Sequence, residues 1–310
     1  MDGKYDIVCI GMALVDSIIK GFDPEPISAS GYRAVSSTLS VGGEAVNEAM
    51  AAAKLGMKTG ILCALGEDDA GDMILGALKR CGVDTSLVLR GGDHATPVTT
   101  MFVRDDGTRK SITNTAHRHN FHPERHKERF AGARAIILGS LFRAPFDDPE
   151  IICEVLKAAK ANGTLVVADT KLPNFRVLGL EDLKEALPLV DYITPNEDEA
   201  KYYTGKSEPA EMAEVFLKYG VKNVVIKLGA KGAYFKNMTT ELFLPPCKIE
   251  AVDATGAGDN FVAGFTSEIL LGSTPKEAMR FANGCGAICT TAVGAGTALK
   301  SRQQVIEFLK

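Results

Sequence analysis

The chain has 310 residues, 45% of them hydrophobic and 24% charged, with a formal net charge of −4 and no long run of one sign. That balance describes a globular protein with a large core, of about two domains or one α/β domain with an appendage, and argues against a basic nucleic-acid-binding face. The opening "MDGKYDIVCIG" has no basic-then-apolar leader, and no apolar run approaches the roughly 18 residues that span a bilayer, so a cytoplasmic protein without membrane contact is expected.

The predicted elements alternate along the chain. A β-rich apolar run at 5–11 is followed by strand-like segments at 14–22 and 37–43, a helical pattern at 44–55, a strand at 58–66 and a helix at 69–81. "VTTMFVRDDGTRKSITN" (98–114) reads as a hairpin around Asp106-Gly107. Strands at 133–140, 164–170, 191–196 and 223–229 then alternate with helices at 148–162 and 209–219. A hairpin at 232–246, expected to extend the main sheet at its edge, precedes helices at 257–271 and 275–291. Continuous apolar strands separated by helices imply a mainly parallel sheet covered on both faces, with ligands beyond the carboxyl ends of its strands.

Segments 14–41 and 97–114 interrupt this pattern, and are expected to form a small antiparallel sheet from four strands. Hung over the ligand edge, such a sheet is a lid. The body then comprises 1–13, 42–96 and 115–310. The seven cysteines, among them Cys9, Cys63 and Cys153 in apolar runs, are expected as reduced buried thiols. Cys285 and Cys289 have the spacing of helix packing. "HRHNFHPERH" (117–126) lacks a clean metal-ligand spacing and reads as a solvated connection.

Neither a P-loop nor the dinucleotide G-x-G-x-x-G occurs. The informative stretch is "AVDATGAGDNFVAG" (251–264). Gly256 and Gly258 let backbone N–H groups converge at a helix N-terminus, where free donors and the helix dipole favour an anion. Asp259 directly behind them is surplus for capping, since Asp253 or Thr255 could cap the helix. A hydroxyl attacking a phosphoryl group needs such a carboxylate to take its proton.

"DATGAGDNF" resembles the signature of the ribokinase-like (PfkB) carbohydrate kinases. "SVGGEAVNEAMAAAKLG" (40–56) is similar to that family's N-terminal pattern, and the likeness extends over the whole chain to "AVGAGTALK". The resemblance implies Asp259 as catalytic base, with Gly256, Ala257 and Gly258 forming the anion hole. It implies acceptor contacts from Asp16, Gly42, Gly43, Asn47 and Glu44, and the position of Arg109 in the lid hairpin and of His117 at its end adds these two to the acceptor side. On the nucleotide side it implies Asn196, Lys227, Gly229, Gly232, Thr255 and Asn283. Asn196 and Glu199 of "TPNEDEA" would hold Mg²⁺ through water, and Asp253 with Thr255 a monovalent cation such as K⁺. Lys227 departs from the family pattern, where many relatives carry a hydroxyl. Asp169 and Lys171 of "DTKLPNFR" point towards the same edge.

ATP and Mg²⁺ are therefore the expected cofactors, and a homodimer through the lid strands the expected assembly. A negative Glu44 near the acceptor disfavours a phosphorylated substrate, which leaves a neutral sugar or nucleoside. Lid arginines such as Arg33, Arg104, Arg109 and Arg118 would favour a sugar phosphate instead. A binding protein of the same fold without turnover is the alternative of another class.

Overall fold

The computed structural model describes residues 4–21, 33–91, 95–104, 108–114 and 121–310. In chain order, β1 (Ile7–Ile10), β2 (Leu14–Lys20) and β3 (Ser36–Gly42) lead into α1 (Glu44–Lys54). Then follow β4 (Thr59–Leu62), β5 (Ala64–Leu65), α2 (Asp69–Arg80), β6 (Leu89–Arg90), β7 (Val98–Val103) and β8 (Arg109–Thr113). The middle of the chain forms α3 (Lys127–Phe130), β9 (Ala135–Leu141), α4 (Pro149–Ala161), β10 (Leu165–Thr170), β11 (Tyr192–Ile193), α5 (Glu197–Thr204) and α6 (Pro209–Lys218). It closes with β12 (Asn223–Lys227), β13 (Ala233–Asn237), β14 (Glu241–Leu244), α7 (Ala257–Leu270), α8 (Pro275–Cys289) and α9 (Arg302–Phe308).

Eight strands form the main sheet in the order β14-β13-β12-β11-β10-β9-β1-β4. The six from β12 to β4 run parallel, and the antiparallel pair β13–β14 extends one edge as expected. Alternate side chains of each strand feed two cores, as a sheet buried on both faces requires. Val8, Ile10, Ile136 and Leu138 pack on the side of α4 and α6, whereas Ile7, Cys9, Ala135 and Ile137 pack on the side of α1, α2, α7 and α8. The strand order reverses at β1, whose neighbours are β9 and β4, so a crevice opens beyond the strand ends there. Small residues bring α1 onto the sheet at that crevice: a Cβ on Gly139 of β9 would lie 2.9 Å from the Ala45 nitrogen.

The second sheet has the order β3-β2-β7-β8. Each of β2–β3 and β7–β8 is an antiparallel pair, but β2 and β7 meet in parallel, with Asp16 opposite Thr99. All-antiparallel pairing was the expectation. It fails at the centre because β2 and β7 both begin at the body, after Ala13 and Pro97, and so run in the same direction. The turn around Asp106-Gly107 lies outside the described residues.

α9 was not foreseen: at 7 residues it is too short to display an apolar period. Cys9 and Cys63 are buried as expected, whereas Cys153 on α4 is half-exposed. Cys285 and Cys289 are both buried in α8. Among the described residues no helix is long and apolar enough to cross a membrane.

Candidate active site

The loops beyond β1, β9, β10 and β12 and the start of α7 enclose a polar cavity of ≈ 660 Å³ that also touches the pocket face of the small sheet at Asp16, Thr99 and Thr113. A more apolar cavity of ≈ 460 Å³ adjoins it and shares Lys227, Gly229, Ala257 and Gly258 with it.

Gly256, with φ 76°, is the N-cap of α7, and no side chain caps that helix. The first helical bond runs from the Asn260 N–H to the Gly256 carbonyl (2.9 Å). The amides of Gly258 and Asp259 therefore have no acceptor from a preceding turn, which leaves them for a ligand. The Ala257 amide differs from expectation, since it donates to the Ala254 carbonyl at 3.2 Å. Asp253 and Thr255, the candidate caps, bond each other instead. The Asp253 carboxylate accepts from the Thr255 N–H (3.0 Å) and hydroxyl (2.7 Å), and from the Gly294 amide (3.0 Å). Asn260 pins the same loop by donating to the carbonyls of Gly256 (2.8 Å) and Ala295 (3.0 Å).

Asp259 is buried at the cavity wall, with 9% of its surface exposed. Asn47, 212 residues away on α1, donates its amide to one Asp259 oxygen at 2.6 Å. Burial pushes the Asp259 carboxyl up to about 6; Glu44 and Asp169 add to the rise, while Lys171 and Asn47 oppose it. Asp16 on β2 also rises to about 6, through burial and then through Glu44. Gly42 lies so close that a Cβ there would stand 2.4 Å from an Asp16 oxygen. Gly43, with φ 98°, passes the Met12 carbonyl with equally little room.

Two lysines reach the cavity, each fixed by an acid. Lys171 lies 2.7 Å from Glu44. Burial alone would raise the Glu44 carboxyl, but the Lys171 ammonium overrides it and holds it at about 2. Lys227 lies 2.6 Å from Asp169, which also accepts from the Thr194 hydroxyl (2.8 Å). Burial favours loss of the Lys227 proton, yet Asp169 and Glu199 keep it raised above the ordinary lysine range. The ammonium sits 3.3 Å from the point where a Cβ on Gly258 would be, so it faces the helix start and not the surface.

Asn196 and Glu199 form a capping box on α5. Asn196 Oδ1 accepts from the Glu199 amide, while Glu199 accepts from the Asn196 amide (2.9 Å) and the Thr170 hydroxyl (2.8 Å). Burial raises the Glu199 carboxyl. Gly229, Gly232 and Asn283 line the apolar cavity, where the Asn283 amide donates to the Pro245 carbonyl (3.2 Å). His117 and Arg118 lie outside the described residues, as does the side chain of Arg109 at the start of β8. Arg33 is exposed. Within 121–126, His122 approaches Glu124 at 3.1 Å, and no cluster of three metal-ligating side chains occurs among the described residues.

Two cavity neighbours, Arg143 and Glu48, escaped the sequence reading as site residues, and a third, Lys171, was expected only to point towards the ligand edge. Lys171 follows β10, and its pairing with Glu44 spans more than a hundred residues. Arg143 follows β9, in a loop without a motif. Glu48 lies one turn beyond Glu44, fully buried, with no partner for either oxygen among the described residues. Burial, then Asp169, Asp259 and Glu44, raise the Glu48 carboxyl well above its ordinary range. A charged residue in the alanine-rich run of α1 was the one available signal.

Comparisons with known proteins agree with this geometry. The chain is 29% identical over 278 residues to the ribokinase of Haemophilus influenzae, covering 88% of each protein. It is also 29% identical over 296 residues to the 2-dehydro-3-deoxygluconokinase of Bacillus subtilis, again with 88% of each covered. Arabidopsis thaliana ribokinase, solved with ribose and ATP, superposes with a TM-score of 0.87 at 26% identity over 99% of both chains. An Escherichia coli ribokinase II solved with ATP and Mg²⁺ superposes at 0.80 and 25% identity, over 98% of each. The model of the pfkB family carbohydrate kinases matches residues 4–302, and the chain belongs to that family.

Proposed function

We propose that this chain transfers a phosphoryl group from ATP to a hydroxyl of a sugar-like acceptor, with Asp259 as general base. The observation that carries the reading is the juxtaposition of Asp259, buried and held by Asn47, with the uncapped amides of Gly258 and Asp259 at the start of α7. An acceptor hydroxyl between Asp16 and Asp259 gives its proton to Asp259 as its oxygen attacks. The helix N-terminus and the Lys227 ammonium meet the charge on the transferring group. The adenine would lie in the apolar cavity against Phe261 and Asn283. The small sheet acts as the lid, closing over the acceptor and keeping out water that would otherwise be phosphorylated.

Mg²⁺ fits the site through water. The capping bonds occupy Asn196 and one Glu199 oxygen, and the crowding of Asp169, Glu199 and Asp259 is the negative charge that a cation on the nucleotide phosphates offsets. When bound, it would neutralise phosphate charge. A K⁺ at Asp253 and Thr255 would compete with bonds that already close the loop, so we do not propose one.

The expectation of a neutral acceptor rests on a free charge at Glu44. Lys171 cancels that charge at 2.7 Å, so Glu44 does not select between neutral and anionic acceptors. Among the relatives, the ribokinases are named for a neutral sugar and 2-dehydro-3-deoxygluconokinase for a sugar acid.

Asp259→Asn is the test. The expected result is a loss of turnover by roughly 10²–10⁴-fold, with ATP binding by calorimetry within a few-fold of the parent. Near-normal ADP release would remove Asp259 as base. ATP binding without acceptor-dependent ADP release by the parent protein would favour the non-catalytic binder.

A further inference from the structure

The crevice at the reversal of strand order is bounded by the loops after β1 and β9, on the opposite side of β10 from the nucleotide-side strands β11 and β12. The end of β9 and the turn after it have an unusual backbone: Ser140 and Phe142 both adopt positive φ, 79° and 76°, without being glycine. Such conformations persist only where the surroundings enforce them, and they gather at binding sites. Here the enforcement is visible. The Phe142 amide donates to the Phe146 carbonyl at 2.8 Å, and its fully buried ring stacks on Tyr203 with centroids 3.9 Å apart. The side chain that this turn sets on the cavity wall is Arg143.

Arg143 Nε donates to the Leu172 carbonyl at 2.7 Å, which fixes the guanidinium and leaves its two terminal nitrogens. Arg143 makes no ion pair among the described residues. The other cations of the cavity differ, since Lys171 is matched by Glu44 and Lys227 by Asp169. An arginine cannot discharge itself by losing its proton. Among the described residues one fixed positive charge without an ion-pair partner therefore stands at the acceptor end of the cavity.

We infer that the acceptor carries a carboxylate that Arg143 binds through its terminal N–H pair, making the substrate a sugar acid. The inference rests on the kinase reading above and names its acceptor class. A planar carboxylate matches the parallel N–H groups of a guanidinium edge. A monoanion is favoured: a phosphate dianion would bring a second negative charge towards Asp16 with no unpaired cation of the cavity left to meet it among the described residues.

The test pairs acids with neutral counterparts: D-gluconate against D-glucose, D-ribonate against D-ribose, and 2-keto-3-deoxygluconate against D-fructose, with D-ribose 5-phosphate as the dianion. Binding is read by calorimetry with ADP present, and turnover by ADP release from Mg·ATP. For the parent protein an acid should exceed its neutral counterpart at least tenfold in both. Arg143→Gln should cut that preference by roughly 10–100-fold, the usual weight of a charge-assisted pair, and Arg143→Lys should restore part of it. Preference for a neutral sugar or for the phosphate, a preference unchanged in Arg143→Gln, or failure of every acid to bind would each overturn the inference. If a neutral sugar is phosphorylated and Arg143 is silent, the kinase reading stands and this one falls. Arg143-dependent binding of an acid without ADP release gives the reverse.

Discussion

At the scale of single residues, the site is a set of acids whose protonation is set by their surroundings. Asp259 can accept a proton only when ionised, and burial has moved it up to about 6. The rate at saturating acceptor should therefore fall below about pH 6 with a slope of one. Asp16 titrates in the same range, so the assignment needs Asp16→Asn, which should weaken acceptor binding yet leave the limb in place. A limb that disappears in Asp16→Asn, or a rate flat down to pH 4.5, would show that Asp259 is not its source. The chemistry-bearing types Asp259, Gly256 and Gly258 stand out in the sequence because they are contiguous. Arg143 and Glu48 do not, because each lies outside any motif and meets the site only through folding.

At the scale of elements, the anion loop is rigid because it is pinned from outside. Gly256 holds φ 76°, and a Cβ there would lie 2.2 Å from Ala295 Cβ. Gly256→Ala should cost on the order of 1–3 kcal/mol in denaturant unfolding and reduce turnover disproportionately. Gly258→Ala, whose Cβ would meet only the flexible end of Lys227 at 3.3 Å, should spare stability. Equal unfolding midpoints for the two variants would contradict the pinned loop. The long helices and the six parallel strands were legible, since their apolar periods are local properties. Parallel pairing of β2 with β7 was not, because it depends on where two distant segments leave the body.

At the scale of the whole molecule, the proposed homodimer has a physical motive. Leu39 and Ile112 lie in one cross-strand row of the lid with Ser17 and Thr100, on the face opposite Asp16 and Thr99. They are 63% and 70% exposed. Light scattering should give a two-chain mass at micromolar concentration, and the double variant Leu39→Lys, Ile112→Lys should give one chain. A one-chain mass for the parent would end that proposal.

Glu48 reaches beyond the site. Burial holds the Glu48 carboxyl of the folded chain well above the ordinary glutamate range, so it keeps its proton to a higher pH than a free glutamate does. The unfolded chain, with an ordinary glutamate there, releases that proton earlier as pH rises. Unfolding between the ordinary and the raised value is thus a proton-releasing reaction that rising pH draws forward: this contribution to stability is complete below about pH 4.5 and drains away as pH climbs towards the raised value.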